Sequence, residues 1–350
     1  MKQRRRKDRE GLFAGGTPER AIIDIGSNTV RLVIYGGSMR APVVLLNEKV
    51  TARLGRDIAS EGKLADDAIE LALRGLERFA LLLSDHGIED VETVATAAVR
   101  EASNGTEFIE RLERLGFAPR VLSGEEEARI SASGVAGAFP GATGTVADLG
   151  GGSLELVRIT LGEPGEATSL PLGTLRLPDF HGKNVSAMRK ALEKEIAGGA
   201  EETLDPASDK PLYLVGGTWR CMAVYAMQER GYPLTDPHGF SLDAAEAEDL
   251  AKLLAKAEVE TLKARERISS MRAEKLPDAA VLLQALLSRL SPSGLVFSSW
   301  GLREGLLYDD LPEQDRLRDP LLAGTAVFAA QRGAPATLAT RIAGWTVAAA

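Results

Sequence analysis

The stretch Ala21-Ile-Ile-Asp-Ile-Gly-Ser-Asn-Thr-Val-Arg-Leu-Val33 decides the fold. Aliphatic residues flank a short polar turn, Gly26-Ser27-Asn28, so the segment reads as two strands joined by a tight hairpin. The same design returns at Ala147-Asp-Leu-Gly-Gly-Gly-Ser-Leu-Glu-Leu-Val157. With a constant offset of 124 the Asp, the Gly, the Leu and the Val coincide. Strand, Asp-x-Gly, turn, strand thus occurs twice, which predicts a pseudo-symmetric pair of domains.

Each hairpin offers two kinds of chemistry. Its glycines and small hydroxyl residues let successive backbone N–H groups converge on phosphate oxygens. Ser27, Asn28 and Thr29 in the first turn, and Gly150, Gly151, Gly152 and Ser153 in the second, are the candidate phosphate contacts. An Asp at a hairpin turn is also ordinary, so one copy alone would decide nothing. Two copies facing each other across a cleft point to phosphate. Asp24, Asp148 and Glu155 would then gather near a polyanion. Like charges at ~4 Å repel by about 4 kcal/mol at an effective dielectric of ~20, so a cation is needed. Magnesium suits such carboxylates beside phosphate oxygens.

Outward from the hairpins, strand and helix patterns alternate, as in an α/β protein. Asp66–Asp85 is an amphipathic helix and Val91–Val99 a β-rich run ending at Arg100. Glu107–Leu115 is helical, and Val121-Leu122 leads straight into a helix at Ser123. The Gly- and Ala-rich Gly134–Gly144 marks the expected domain boundary, dividing a lobe at 20–135 from one at 136–312. Strands follow at Leu154–Ile159, Leu212–Val215 and Leu295–Ser298. Helices follow near Asp243–Lys256, Val259–Arg267, Asp278–Leu290 and Leu302–Tyr308.

Ser123-Gly-Glu-Glu126 fits a capping box, which gives Glu126 a structural task. Glu127 lies instead on a stripe with Ile130, Ser131, Gly134 and Ala138. It is either a buried structural acceptor or a base facing the cleft, where desolvation would raise its pKa towards neutrality. Arg100 could fork onto a phosphate or serve a surface ion pair. Gly216-Gly217-Thr218 opens a helix after a strand, a weak anion signal. His86, His181 and His238 show no metal spacing.

Composition excludes other classes. The net charge of −8 and 5% aromatic content argue against nucleic-acid binding. One cysteine, Cys221, rules out an internal disulfide and multi-cysteine metal sites, and fits a reducing compartment. Residues 1–19 begin with a basic run and lack an apolar signal region, so a flexible arm is expected. No stretch is apolar enough to span a bilayer, and a cytoplasmic location is expected.

Four stretches carry a family resemblance: Ala21–Leu32, Ala95-Thr-Ala-Ala-Val-Arg-Glu-Ala-Ser-Asn104, Ser123-Gly-Glu-Glu-Glu-Ala128 and Asp148-Leu-Gly-Gly-Gly-Ser-Leu-Glu155. Arg53-Leu-Gly55, Pro171-Leu-Gly173 and Gly301-Leu-Arg-Glu-Gly-Leu306 agree. The chain resembles the exopolyphosphatase / guanosine pentaphosphate phosphatase (Ppx/GppA) family, within the sugar kinase, heat-shock chaperone and actin superfamily. The resemblance implies two ribonuclease H-like (actin-like ATPase) lobes with an interdomain cleft. It makes Glu127 the catalytic base and Arg100 a phosphate contact. Asp24, Ser27 and Asn28 would form the first phosphate and metal loop, and Asp148, Gly150 and Glu155 the second. The implied reaction is magnesium-assisted release of orthophosphate from the ends of inorganic polyphosphate. Alternatives are pppGpp 5′-phosphohydrolysis, a superfamily kinase or a nucleotide-binding module. Val215-Gly-Gly-Thr-Trp219 is shorter than the Gly-x-Ser-Gly-Thr form of many members, which favours polyphosphate over pppGpp. A homodimer is also expected.

The last 38 residues, Glu313 to Ala350, carry Leu321, Leu322, Phe328, Leu338, Ile342, Trp345 and Val347. They read as a helical extension, the start of a further domain that would complete the track for a long polyanion.

Overall fold

The computed structural model describes residues 20–200, 209–334 and 341. The expected basic arm at 1–19 lies outside the described residues, as do Leu338, Ile342, Trp345 and Val347.

Two sheets carry the chain. The first holds β1 (Arg20–Ile25), β2 (Val30–Ser38), β3 (Ala41–Val50), β4 (Val91–Ala95) and β5 (Pro119–Val121) in the order β3-β2-β1-β4-β5. The second holds β6 (Gly144–Leu149), β7 (Leu154–Thr160), β8 (Glu163–Leu170), β9 (Leu212–Val215), β10 (Ser241–Asp243) and β11 (Gly294–Ser298), ordered β10-β11-β9-β6-β7-β8. Each opens with an antiparallel three-strand meander and continues with parallel strands, and the second adds β10 antiparallel to β11 at its edge. The duplication seen in sequence is therefore a duplication of topology. Asp24 pairs with Arg31 in one hairpin and Asp148 with Glu155 in the other, at matching register. The arrangement is the two-lobe, actin-like ATPase fold.

Helices cover the sheets: α1 (Asp66–His86), α2 (Ala97–Glu101), α3 (Gly124–Ala138), α4 (Gly217–Glu229), α5 (Leu276–Leu290), α6 (Leu302–Asp309) and α7 (Pro320–Gln331). The outer face of the first sheet packs on α1 through Leu32, Ile23, Leu76 and Phe79. That of the second packs on α4 and α5 through Leu156, Leu214, Trp219 and Leu282. Such double coverage explains why β1 and β9 are nearly all apolar.

Between the inner faces run α3 and α6. Ala128, Ala132 and Val135 of α3 lie on the second sheet, while Leu306 and Leu307 of α6 lie on Ile22, Val33 and Tyr35 of the first. The expected boundary at 135/136 therefore falls inside a continuous helix. The small residues that suggested a domain boundary serve close packing there. A Cβ on Gly305 would collide with the carbonyl oxygen of Ile130, and one on Gly134 with that of Gly301. Overpacking of this kind costs about 1–3 kcal/mol or more. Gly305→Ala is expected to lower the unfolding free energy by that amount, read as a lower urea midpoint. Gly198→Ala, where a Cβ meets nothing within 4 Å, should leave it level or raised. Equal midpoints for Gly305→Ala and wild type would contradict the packing.

Two polar anchors bind the crossing. The Tyr35 hydroxyl donates to Glu304 Oε1 at 2.6 Å, and Gly301 N–H donates to Glu304 Oε2 at 3.1 Å. The buried guanidinium of Arg40 donates to the carbonyls of Gly137 (2.7 Å) and Arg318 (2.8 Å) and lies over the Tyr308 ring. The extension is helical where described, at Glu313–Arg316 and α7. Val327 of α7 packs near Gly37, while Leu321, Leu322 and Phe328 stay exposed.

No helix among the described residues is long and apolar enough to cross a membrane.

Candidate active site

The two hairpin turns meet in a cleft of about 420 Å³ between the sheets. Both turns close identically: Gly26 N–H donates to Thr29 O and Gly150 N–H to Ser153 O, each at 3.0 Å. Each is strapped by a second segment. Gly55 N–H donates to Ser27 O at 2.7 Å and Arg53 N–H to Asn28 O at 3.0 Å. On the other side Thr174 N–H donates to Gly150 O at 3.1 Å and Leu175 N–H to Gly151 O at 2.9 Å. Leu54 and Leu172 anchor the straps in the two cores. Glycine is required beside them, because a Cβ on Gly55 would stand 2.8 Å from Ser27 Cβ. The Arg53-Leu-Gly55 and Pro171-Leu-Gly173 motifs thus hold the loops in shape.

Ser27, Asn28, Thr29, Gly150, Gly151, Gly152 and Ser153 all line the cleft, with Asp24, Asp148 and Glu127. Gly216, Gly217 and Thr218 bring the N-terminus of α4 to the same wall. Gly216 has φ +117°, and a Cβ there would stand 2.6 Å from Leu149 O, so only glycine fits.

Glu127 is on the first turn of α3, directly after the capping box. Ser123 Oγ accepts from Glu126 N–H at 3.1 Å, and Glu126 Oε2 accepts from Ser123 N–H at 2.8 Å. Burial pushes the Glu127 carboxyl up, opposed by the Arg100 guanidinium, and it stands at about 7. Burial likewise raises Asp24 and Asp148; Arg303 and Arg31 oppose it at Asp24, and a hydrogen bond from Ser131 Oγ opposes it at Asp148.

Two expectations need correction. Arg100 does not end a strand or line the cleft. β4 stops at Ala95, and Val99 and Arg100 N–H groups donate to Thr96 O, winding 97–101 into α2. Its guanidinium donates instead to Leu122 O (2.8 Å) and Glu127 Oε2 (3.2 Å). Glu155 is the second. It is 2% exposed and absent from the cleft wall, accepting a hydrogen bond from Ser169 Oγ at 2.9 Å. The start of α3 lies on Ser169 and covers it. Burial, with Glu127 and Asp148 near, holds its carboxyl well above the usual range. Among the described residues no three carboxylate, imidazole or thiol side chains converge to enclose a metal ion. The expected triad Asp24, Asp148 and Glu155 resolves into two cleft carboxylates and one buried acid. Two carboxylates still fit magnesium, which commonly takes one or two and completes its shell with water and phosphate oxygens.

Sequence reasoning assigned no role to the basic wall. Arg31, Arg53, Arg56, Arg220, Arg272, Lys275 and Arg303 line the cleft against only Asp24, Glu127, Asp148 and Glu274. A chain of net charge −8 thus gathers positive charge where its two anion loops meet. The model of the Ppx/GppA phosphatase family matches residues 33–314. The chain belongs to this family. Among its relatives is Exopolyphosphatase 1 of Mycobacterium tuberculosis, 27% identical over 305 residues, covering 84% of this chain and 88% of the relative. Its Mycobacterium leprae counterpart is 29% identical over 309 residues, covering 84% and 89%. Among solved structures, the Aquifex aeolicus Ppx/GppA family member superposes with a TM-score of 0.70 at 29% identity, covering 84% of this chain and 97% of that one. An exopolyphosphatase from Cytophaga hutchinsonii gives 0.74 at 25%, covering 83% and 96%. Within a Ppx/GppA phosphatase, the loops, the raised carboxyl and the basic wall acquire a common purpose.

Proposed function

We propose that the chain is a cytoplasmic exopolyphosphatase, releasing orthophosphate from the ends of inorganic polyphosphate. The observation that carries this reading is the basic wall around two strapped anion loops, with one carboxyl near neutrality facing them. The loops seat the terminal phosphoryl group through backbone N–H groups and the hydroxyls of Ser27, Thr29 and Ser153. Glu127 takes a proton from water, which attacks in line with the departing chain. Asp24 and Asp148 would hold a magnesium ion, which supplies charge neutralisation at the phosphate oxygens. Arg100 acts through Glu127, fixing the carboxylate against Leu122.

The test is phosphate release from polyphosphate, pppGpp and ATP side by side, with and without magnesium. Preference for polyphosphate supports the reading; preference for pppGpp replaces it with guanosine pentaphosphate hydrolysis. Tight ATP binding without release would make the chain a nucleotide-binding module.

The pH dependence follows from Glu127. A base works only when deprotonated, so kcat/KM is expected to fall as pH drops through about 7. Arg100 lowers that value, so in Arg100→Leu the acid limb should move upward. An unmoved limb in the pH–rate profile would separate Arg100 from the base.

A further inference from the structure

A second cavity, about 650 Å³, adjoins the cleft, and Arg31, Arg220, Arg272 and Arg303 line both. Lys49 and Arg267 continue the basic lining away from the hairpin loops, against Asp236 and Glu304. Among the described residues none of the four junction arginines has a carboxylate oxygen within 4 Å. The Nε atoms of Arg220 and Arg303 are buried without a hydrogen-bond partner, and Arg272 reaches only the Cys221 sulfur at 3.9 Å. Neighbouring guanidinium groups repel, and an unpaired cluster away from water is costly unless an anion joins it.

Arg31 acts electrostatically on Asp24 and Arg220 on Asp148, whereas Arg303 acts on both. Its backbone is fixed by the next residue, Glu304, which Tyr35 and Gly301 hold by hydrogen bonds. It lines both the cleft that holds Asp24 and Asp148 and the second cavity.

We propose that Arg303 is a catalytic residue for the leaving side: its guanidinium donates to the bridging oxygen of the scissile P–O–P link, and the second cavity receives the departing chain. This rests on the polyphosphate reading. The water oxygen bonds to the terminal phosphorus and its proton passes to Glu127. The bond from that phosphorus to the bridging oxygen breaks, and the electron pair stays on the oxygen as the new end of the shortened chain. Arg303 remains protonated and stabilises that charge. The polyanion track that the sequence suggested would need a further domain is, in this proposal, supplied between the two lobes.

Arg303→Ala, Arg303→Lys and wild type are compared on long-chain polyphosphate, with and without guanidinium ion at concentrations that leave circular dichroism unchanged. The expected result is a kcat lower by roughly 10²–10³ with little change in KM, as for loss of one donor aimed at developing charge. Lysine should restore little, since an ammonium lacks the fork. Free guanidinium should recover part of kcat in Arg303→Ala and none in Glu127→Gln. A raised KM at unchanged kcat, wild-type kcat, or a folded Arg303→Ala that guanidinium does not rescue would overturn the proposal. If Arg303→Ala fails to fold, Arg303→Lys decides: folded with wild-type kcat overturns it, and folded with a kcat down by roughly 10²-fold or more sustains it. A wild type that releases no phosphate from polyphosphate overturns the functional reading itself; an active wild type indifferent at Arg303 overturns this proposal alone.

Discussion

Glu127→Gln is expected to lower turnover by roughly 10²–10⁴ while leaving folding and substrate binding nearly intact, the usual share of a general base. The amide keeps the volume of the carboxyl and can still accept from Arg100, which also retains its bond to Leu122 O. What it loses is the capacity to take a proton. The neighbouring Glu126 supplies the control. It is spent on the capping box with Ser123, so Glu126→Gln should keep near wild-type turnover and lose at most a little stability. Single-turnover phosphate release and calorimetric binding of tripolyphosphate separate the steps. Near wild-type turnover in Glu127→Gln beside a crippled Glu126→Gln would reverse the assignment.

Asp148→Ala is expected to abolish magnesium-dependent activity at least as completely as Asp24→Ala. Asp24 faces Arg31 across its hairpin, whereas Asp148 faces the buried acid Glu155. Asp24 thus has an arginine opposite it on its own hairpin, whereas Asp148 has the hydroxyl of Ser131, with Arg220 and Arg303 acting on it from outside the hairpin. Its own hairpin supplies Asp148 with no cation, so a bound ion should contribute more there than at Asp24. Loss of Asp148 should weaken apparent magnesium affinity by at least the roughly 10–100-fold typical of residues that merely support metal ligands. Magnesium titration of phosphate release in both variants decides it. Unchanged dependence in Asp148→Ala would remove Asp148 from the metal's surroundings.

Much of this architecture was legible because it is local. The hairpins announce themselves by strand patterns around Gly26-Ser27-Asn28 and Gly150-Gly151-Gly152, and the capping box fixes the start of α3 to the residue. Edge strands were harder. β3 and β8 are largely solvated, so neither shows the alternation that marks a half-buried strand. The Gly- and Ala-rich end of α3 read as a domain boundary because a close helix crossing selects the same small residues. Arg100 misled because a β-rich run through Val99 hides the turn at Thr96. Glu155 misled because its cover comes from β8 and α3, which no spacing reveals. The arginine junction was invisible for the same reason: Arg31, Arg220, Arg272 and Arg303 come from four separate segments and meet only in three dimensions.

The ion pair between Arg100 and Glu127 has a mechanical meaning. Arg100 rides on α2, whose Ala98 and Val99 belong to the core of the first lobe. Glu127 precedes Ala128, which is packed on the second sheet. The pair is a strut between two bodies. A motion that parted them would withdraw the guanidinium that holds the carboxyl down and would also open the buried carboxyl to water. The setting of the base is thereby tied to the spacing between the two cores.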